Sequence, residues 1–317
     1  MQNKITTKSP LLILAFNRPG MTKRLLESLP LLTDRVVYVS LDGPRPSNPK
    51  DLINIKTVLE IFQDYEKKVG MSFNYLISEN NLGCKNKVSK SISAVLEKHD
   101  RTIILEDDCM PSSSFFPYCD ELLSRYEDNA RTMMINGSSF TEPLNDSGQY
   151  RWSKCVFVWG WATWRRAWVK YNPYLESFAK DSAVVLKSIG DYYGNWGKPL
   201  VKLIQNVYEK NIDTWDAQWV YTIWQNKGVT IMPTKNLISN IGFGKEATHT
   251  KVKMSLGNLP THKLEFPLKC LADNSGLDNN HKYDLEQYMS IYKRTSVIDV
   301  GLYMLSRRLC LQRFIKL

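Results

Sequence analysis

Short apolar runs alternate with helical patterns through the first third of the chain. Leu11-Leu12-Ile13-Leu14-Ala15-Phe16 is apolar at every position, which predicts a strand buried on both faces, and Pro19 followed by Leu25, Leu26 and Leu29 predicts the helix after it. Val36 to Leu41 repeats the strand pattern and stops at the turn formers Asp42-Gly43-Pro44. Residues 49–69, with Ile53, Val58, Ile61 and Phe62, read as its helix. Phe73 to Ile77 is a third strand. A helix over Val88 to Lys98 leads to Thr102-Ile103-Ile104-Leu105, a fourth strand that ends at Glu106-Asp107-Asp108. This alternation predicts an α/β fold with a doubly wound, largely parallel sheet. Ligands of such sheets sit outside the carboxyl ends of the strands, where Arg18, Asp42 and Glu106 to Asp108 all fall.

After about residue 130 the rhythm changes. One more strand is predicted at Thr132 to Ile135, then comes a segment crowded with tryptophan, then helices near 197–210 and 216–227; eight of the nine tryptophans lie between Trp152 and Trp219. No repeat, low-complexity tract or linker separates the halves. The expected organisation is one domain over 1–286, its first half about 10–140 and its second about 141–286, followed by a basic helical tail at 287–317.

Composition narrows the class. With 317 residues, 43% hydrophobic and 23% charged, the chain has ordinary globular usage and is not disordered or fibrous. Its apolar runs fall well short of the ~20 residues of a spanning helix, and the first thirty residues show no secretory pattern. Cys84, Cys109, Cys119, Cys155, Cys270 and Cys310 are scattered without a C-x-x-C pair, which suits a reducing compartment and buried thiols rather than zinc or a disulfide framework. The expected location is cytoplasmic. A net charge of +10 fits nucleic acid, an anionic membrane or a phosphorylated substrate. Residues 287–317 hold Lys293, Arg294, Arg307, Arg308, Arg313 and Lys316 against Asp299 alone, half of the excess. That tail reads either as a helix packed on the domain or as an anchor at an anionic membrane surface.

Three successive carboxylates at the end of a buried strand need compensation if they share a site. A divalent cation supplies it and also neutralises a bound diphosphate; hard oxygen ligands favour Mg2+ or Mn2+ over zinc. The alternative is a solvated acidic turn. A nucleic-acid partner is disfavoured, because the triplet repels phosphates without a metal.

The run Asn80-Asn81-Leu82-Gly83, a helix, the strand Thr102 to Leu105, then Glu106-Asp107-Asp108-Cys109-Met110-Pro111 and Phe115-Phe116-Pro117-Tyr118 resembles the nucleotide-diphospho-sugar glycosyltransferases of the GT-A fold. Among these it is similar to the inverting N-acetylglucosaminyltransferases of N-glycan synthesis and their bacterial relatives. The resemblance covers about residues 10–250 and implies a GT-A (Rossmann-like) doubly wound mixed sheet with helices on both faces. It implies that Arg18 and Asp42 contact the nucleotide base, that Asp108 coordinates Mn2+ or Mg2+, and that Glu106 and Asp107 face the ribose and donor sugar. Val158-Trp159-Gly160-Trp161 is similar to the family's Gly-Trp segment, which places Trp159, Gly160 and Trp161 in the donor-sugar pocket; the other reading is a buried aromatic strand and turn. Trp215-Asp216 resembles the motif whose carboxylate is the general base, with Asp213 in reserve; Asp216 also suits a helix cap. His249, in the Gly-rich stretch Asn240 to Thr250, is the candidate second metal ligand, against an exposed loop histidine. His99, His262 and His281 suggest nothing. The longer spacing from the Gly-Trp segment to Asp216 departs from the family and implies a different acceptor region.

The expected function is therefore a metal-dependent inverting glycosyltransferase. It would move a sugar from a nucleotide-diphosphate sugar, expected to be a UDP-sugar, to a glycan or lipid-linked oligosaccharide acceptor in bacterial surface polysaccharide synthesis, peripheral to the inner face of the cytoplasmic membrane and with no nucleic-acid partner. A sugar-nucleotide nucleotidyltransferase calls for several glycines after strand one, which Phe16-Asn17-Arg18-Pro19-Gly20 lacks. A non-catalytic carbohydrate-binding protein using its tryptophans is the third reading.

Overall fold

A computed structural model describes residues 8–30, 32, 34–143, 148–210, 212–243, 256–271 and 281–294. The first part of the chain follows the predicted alternation. Strands β1 (Leu11–Ala15), β2 (Val37–Leu41), β3 (Asn74–Ile77) and β4 (Arg101–Glu106) are parallel, joined through helices α1 (Pro19–Ser28), α2 (Lys50–Val69) and α3 (Gly83–Lys98). Pro19 opens α1 at a position whose N–H has no helical partner, and Gly70, with φ 65°, ends α2 in the left-handed region.

The second part adds β5 (Cys109–Pro111), α4 (Phe115–Arg125), β6 (Thr132–Asn136), β7 (Tyr150–Ser153), β8 (Trp161–Trp164) and α5 (Arg165–Trp168). Helices α6 (Phe178–Tyr193), α7 (Lys198–Lys210) and α8 (Asp216–Gln225) follow, then β9 (Val229–Pro233), β10 (Ile238–Asn240) and α9 (His281–Arg294). Eight strands form one sheet in the order β3-β2-β1-β4-β8-β6-β9-β7. It is the expected α/β doubly wound sheet, and it is mixed: β8 runs against β4 and β6, and β7 runs against β9. The remaining pair, β5 and β10, forms a small antiparallel sheet that matches Cys109 with Asn240 and Pro111 with Ile238.

The apolar runs are continuous because both faces of the strands are covered. Leu11 and Ile13 pack with Leu25, Leu26, Val58, Phe62, Phe115 and Leu122 on one side. Leu12 and Leu14 pack with Val88, Ile92 and a large aromatic group on the other. In that group Trp161 stacks on Trp215 (centroids 5.4 Å apart, planes 18°), and Trp168 stacks on Tyr171 at 4.3 Å. The tryptophan-rich segment is thus mostly core.

Helix α9 crosses the boundary at 286/287 where the basic tail was expected to begin, and it is fastened to the domain by polar contacts. Asp284, 0% exposed, accepts bonds from Arg151 Nη1 (2.7 Å), Ser153 Oγ (2.6 Å), Lys154 N (2.8 Å) and Tyr192 OH (3.0 Å). Gln287 accepts from Phe140 N (2.7 Å) and donates to Ser139 Oγ (2.9 Å). Residues 295–317 of the expected tail lie outside the described residues. Among the described residues no helix is long and apolar enough to cross a membrane.

Candidate active site

Strand order reverses between β1 and β4, and in open α/β sheets such a reversal opens a crevice beyond the strand ends. The register pairs Leu14 with Glu106, and Asp107 N donates to Leu14 O at 3.0 Å, so the acidic triplet leaves the sheet beside the residues that follow β1. Its other end is held by the small sheet: Ile241 N donates to Asp108 O at 2.8 Å, and Asn240 Nδ2 faces Asp108 Oδ1 at 3.4 Å. A Cβ on residue 242 would lie 2.1 Å from Asp108 Oδ2, so only Gly242 lets the backbone run this close to the carboxylate.

Arg18, at the end of the β1 loop, turns its guanidinium onto the triplet. Nε (3.3 Å) and Nη2 bond to Asp107, while Nη1 bonds to Asp108 Oδ2 at 2.9 Å. Burial works against the Arg18 charge, but Asp107 and Asp108 hold its pKa above the ordinary value. Burial likewise pushes Asp107 up to about 6 despite Arg18. Glu106 is pushed further, to about 8, by burial and by the charges of Asp108, Asp107 and Asp216, with Arg18 opposing. At neutral pH Glu106 is therefore protonated, and the crevice carries more acid than its arginine offsets.

Arg18 and Asp42, the expected contacts of a base, are both bonded within the protein. Arg18 serves the acids. Asp42, 6% exposed, accepts from Gly43 N (2.9 Å), Leu82 N (2.9 Å), Gly83 N (3.1 Å) and Asn81 Nδ2 (3.1 Å). Burial raises its pKa, with the Leu82 and Gly43 N–H groups opposing. Asp213 accepts from Cys84 N (2.9 Å) and Lys85 N (2.8 Å). Between them Asp42 and Asp213 satisfy the N–H groups that the first turn of α3 leaves without helical partners. Asp213 is spent on that cap.

Asp216 is differently placed. It opens α8, and its Oδ1 accepts from the Thr214 hydroxyl and from Ala217 N (2.8 Å). Among the described residues no group donates to Oδ2. The Asp216 charge raises the pKa of Glu106, Cys84 and Tyr171, so it lies within electrostatic reach of the triplet. Being a helix cap and lying within that reach are compatible for one carboxylate with two oxygens.

The Gly-Trp segment divides. Trp159 is half-buried and meets Phe140 and Phe243 edge-on at 5.3 and 5.4 Å, which places it next to the Gly242 backbone and hence beside Asp108. Gly160 has φ 61°, and a Cβ there would strike Ile238 at 2.5 Å, so its role is to let β8 cross β10 closely. Trp161 is corrected from a sugar contact to a core residue: it is 1% exposed, with Trp215, Trp168 and Trp219 around its ring. His249 lies outside the described residues. Sequence reasoning missed Cys84, Asn240, Gly242 and Phe243 as neighbours of the triplet. Only the glycine near position 242 carried a signal, and nothing tied it to Asp108.

Neither a known protein family nor a curated protein matches the sequence. Comparison with solved structures gives low-scoring similarities. The apo form of the glycosyltransferase GlyE of Streptococcus pneumoniae TIGR4 is 8% identical with TM-score 0.32, over 70% of this chain and 44% of that one. Mouse xyloside xylosyltransferase 1 is 9% identical with TM-score 0.32, over 69% of this chain and 82% of that one. A UDP-glucose pyrophosphorylase complexed with UDP-glucose is 8% identical with TM-score 0.31, over 71% and 90%. This chain spans less than half the length of the GlyE chain.

Proposed function

We propose that the protein is an inverting glycosyltransferase that takes a sugar from a nucleotide diphosphate sugar. The observation that carries this reading is the acidic triplet at the strand-order reversal, with Arg18 on Asp107 and Asp108 and the Asp216 charge within reach of Glu106. An inverting transfer needs a carboxylate that takes the proton of the acceptor hydroxyl as the hydroxyl attacks the anomeric carbon and the diphosphate leaves. Asp216 meets that need: Thr214 and Ala217 fix its Oδ1, and Oδ2 is left for the acceptor. Glu106, held neutral by its surroundings, donates a hydrogen bond to an incoming hydroxyl or ribose rather than repelling it. Trp159 supplies an aromatic wall beside Asp108 that suits the apolar face of a sugar ring.

Oxygen ligands at Asp108 fit Mn2+ or Mg2+ in type. Among the described residues no three His, Cys, Asp or Glu side chains converge on one point, so Asp108 would hold such an ion together with oxygens of the nucleotide. The ion would supply charge stabilisation for the leaving diphosphate. A nucleotidyltransferase reading is weakened by the β1 loop, where Pro19 already opens α1 and no row of glycine N–H groups forms a phosphate cradle.

The test is Asp216→Asn. With UDP-sugars and Mn2+, transfer or the background hydrolysis of donor falls at least ~100-fold, as for removal of a general base, while nucleotide-sugar binding by calorimetry stays near the wild-type value. Undiminished turnover by the variant removes Asp216 from the reaction.

A further inference from the structure

Arg18 divides its donors unequally. Nε and Nη2 form a fork on Asp107, which is 1% exposed, while Nη1 alone reaches Asp108 Oδ2 at 2.9 Å. Asp108 is also buried, at 7%, and its other described partners are long: Asn240 Nδ2 at 3.4 Å and Cys109 Sγ at 3.5 Å, both on Oδ1. The single short bond on the Asp108 carboxylate therefore comes from one arm of a guanidinium anchored elsewhere. Because the guanidinium is planar and rigid, Nη1 leaves Asp108 only when the whole group shifts on Asp107.

We propose that Arg18 is an exchangeable counter-cation: it neutralises Asp108 in the unliganded protein and, when nucleotide arrives with a divalent ion, its guanidinium shifts as a unit, yielding Asp108 to the ion and offering Nη1 to the diphosphate. The proposal rests on the glycosyltransferase reading of this crevice and deepens it. Two cations on one carboxylate oxygen repel each other at contact distance, so ion and Nη1 compete for Asp108 Oδ2. A displaced N–H in a buried site needs a new acceptor, and a diphosphate oxygen accepts a charge-assisted bond from a guanidinium. An ion alone must evict Nη1 and leave it unpaired. An ion arriving with nucleotide gives both Asp108 and Arg18 a new partner. Ion and nucleotide binding are thereby coupled, and each tightens the other by the same factor.

The experiment measures Mn2+ affinity, by electron paramagnetic resonance of the free ion, with and without UDP, for wild type, Arg18→Met and Arg18→Lys. Removing the competitor tightens nucleotide-free Mn2+ binding by about fivefold or more in Arg18→Met, the lower end of ordinary coupling factors, and abolishes most of the enhancement by UDP. Arg18→Lys keeps a positive charge on Asp107, and so protects the fold, but loses the second arm, and it tightens nucleotide-free Mn2+ binding as well. Equal or weaker nucleotide-free Mn2+ binding in the folded variants overturns the exchange. If wild type binds no Mn2+ even with UDP, the reading of the crevice itself has failed; if it does bind and the variants show no tightening, only the exchange has failed.

Discussion

Two places in this molecule bury an arginine against aspartate, and they are built to opposite ends. At the root of α9 the pair is one to one: Arg151 meets Asp284, their side chains 1% and 0% exposed, and three further donors complete the carboxylate. In the crevice Arg18 faces Asp107 and Asp108 together, with the Asp216 charge close enough to help raise the pKa of Glu106. The first arrangement is balanced in charge and fixes a helix. The second is left with excess acid, an imbalance that costs stability and persists where a ligand is to complete it. Burial alone therefore does not mark function; an unbalanced charge count does.

The largest test of that contrast is at the balanced pair. Asp284→Ala leaves Arg151 buried without a partner and costs about 3–5 kcal/mol in urea unfolding; a loss below 1 kcal/mol would mean that α9 is only loosely held. A smaller effect follows at the helix cap, where Asp213→Ala strips the acceptor from Cys84 N and Lys85 N and costs about 1 kcal/mol by the same measurement. In the crevice the sign changes. Asp108→Asn keeps the shape and removes one excess charge, so the midpoint of unfolding stays within about 0.5 kcal/mol of wild type or rises, while Mn2+-dependent UDP binding is lost. A large destabilisation by Asp108→Asn would place it with the balanced pair.

The finest distinction is in pH. Glu106 titrates near 8 in the folded chain against 4.5 ordinarily, so between those values the unfolded chain is ionised there and the folded chain is not. The folded state then binds the extra proton, and its stability from this group, complete below about pH 4.5, is lost as pH rises through 8. Thermal midpoints measured from pH 5 to 8 should fall less steeply in Glu106→Gln than in wild type, and an identical slope would show that Glu106 ionises normally.

The strands β1 to β4 were legible because burial on both faces removes polar residues from the run, and their ends located Arg18, Asp42 and the acidic triplet. Partners across the crevice were not legible. Asp213 lies 129 residues from Cys84, and Arg18 lies 89 and 90 residues from its two acids. Helix α6 escaped the reading although Phe178, Val185, Leu186 and Ile189 share a buried face, because Val184, 72% exposed, blurs the stripe. Residue type could not separate Trp159 from Trp161 either. Trp159 lies before β8, and the left-handed turn at Gly160 separates it from Trp161, which stacks on Trp215. The antiparallel insertion of β8 between β4 and β6 depends on tertiary pairing that a four-residue strand does not announce.

The pairing of β5 with β10 joins residues 109–111 to 238–240, and β8 and β9 are both locked into the main sheet. Everything from α5 through α8 is thus an excursion whose two ends are pinned in the same slab. Asp216 rides on that excursion, whereas the triplet and Arg18 do not. The molecule is in this respect a socket and a keyed arm: the arm meets the socket through Asp213 on α3 and Trp215 on Trp161, so a change in its length is felt at Asp216 before it is felt at Asp108.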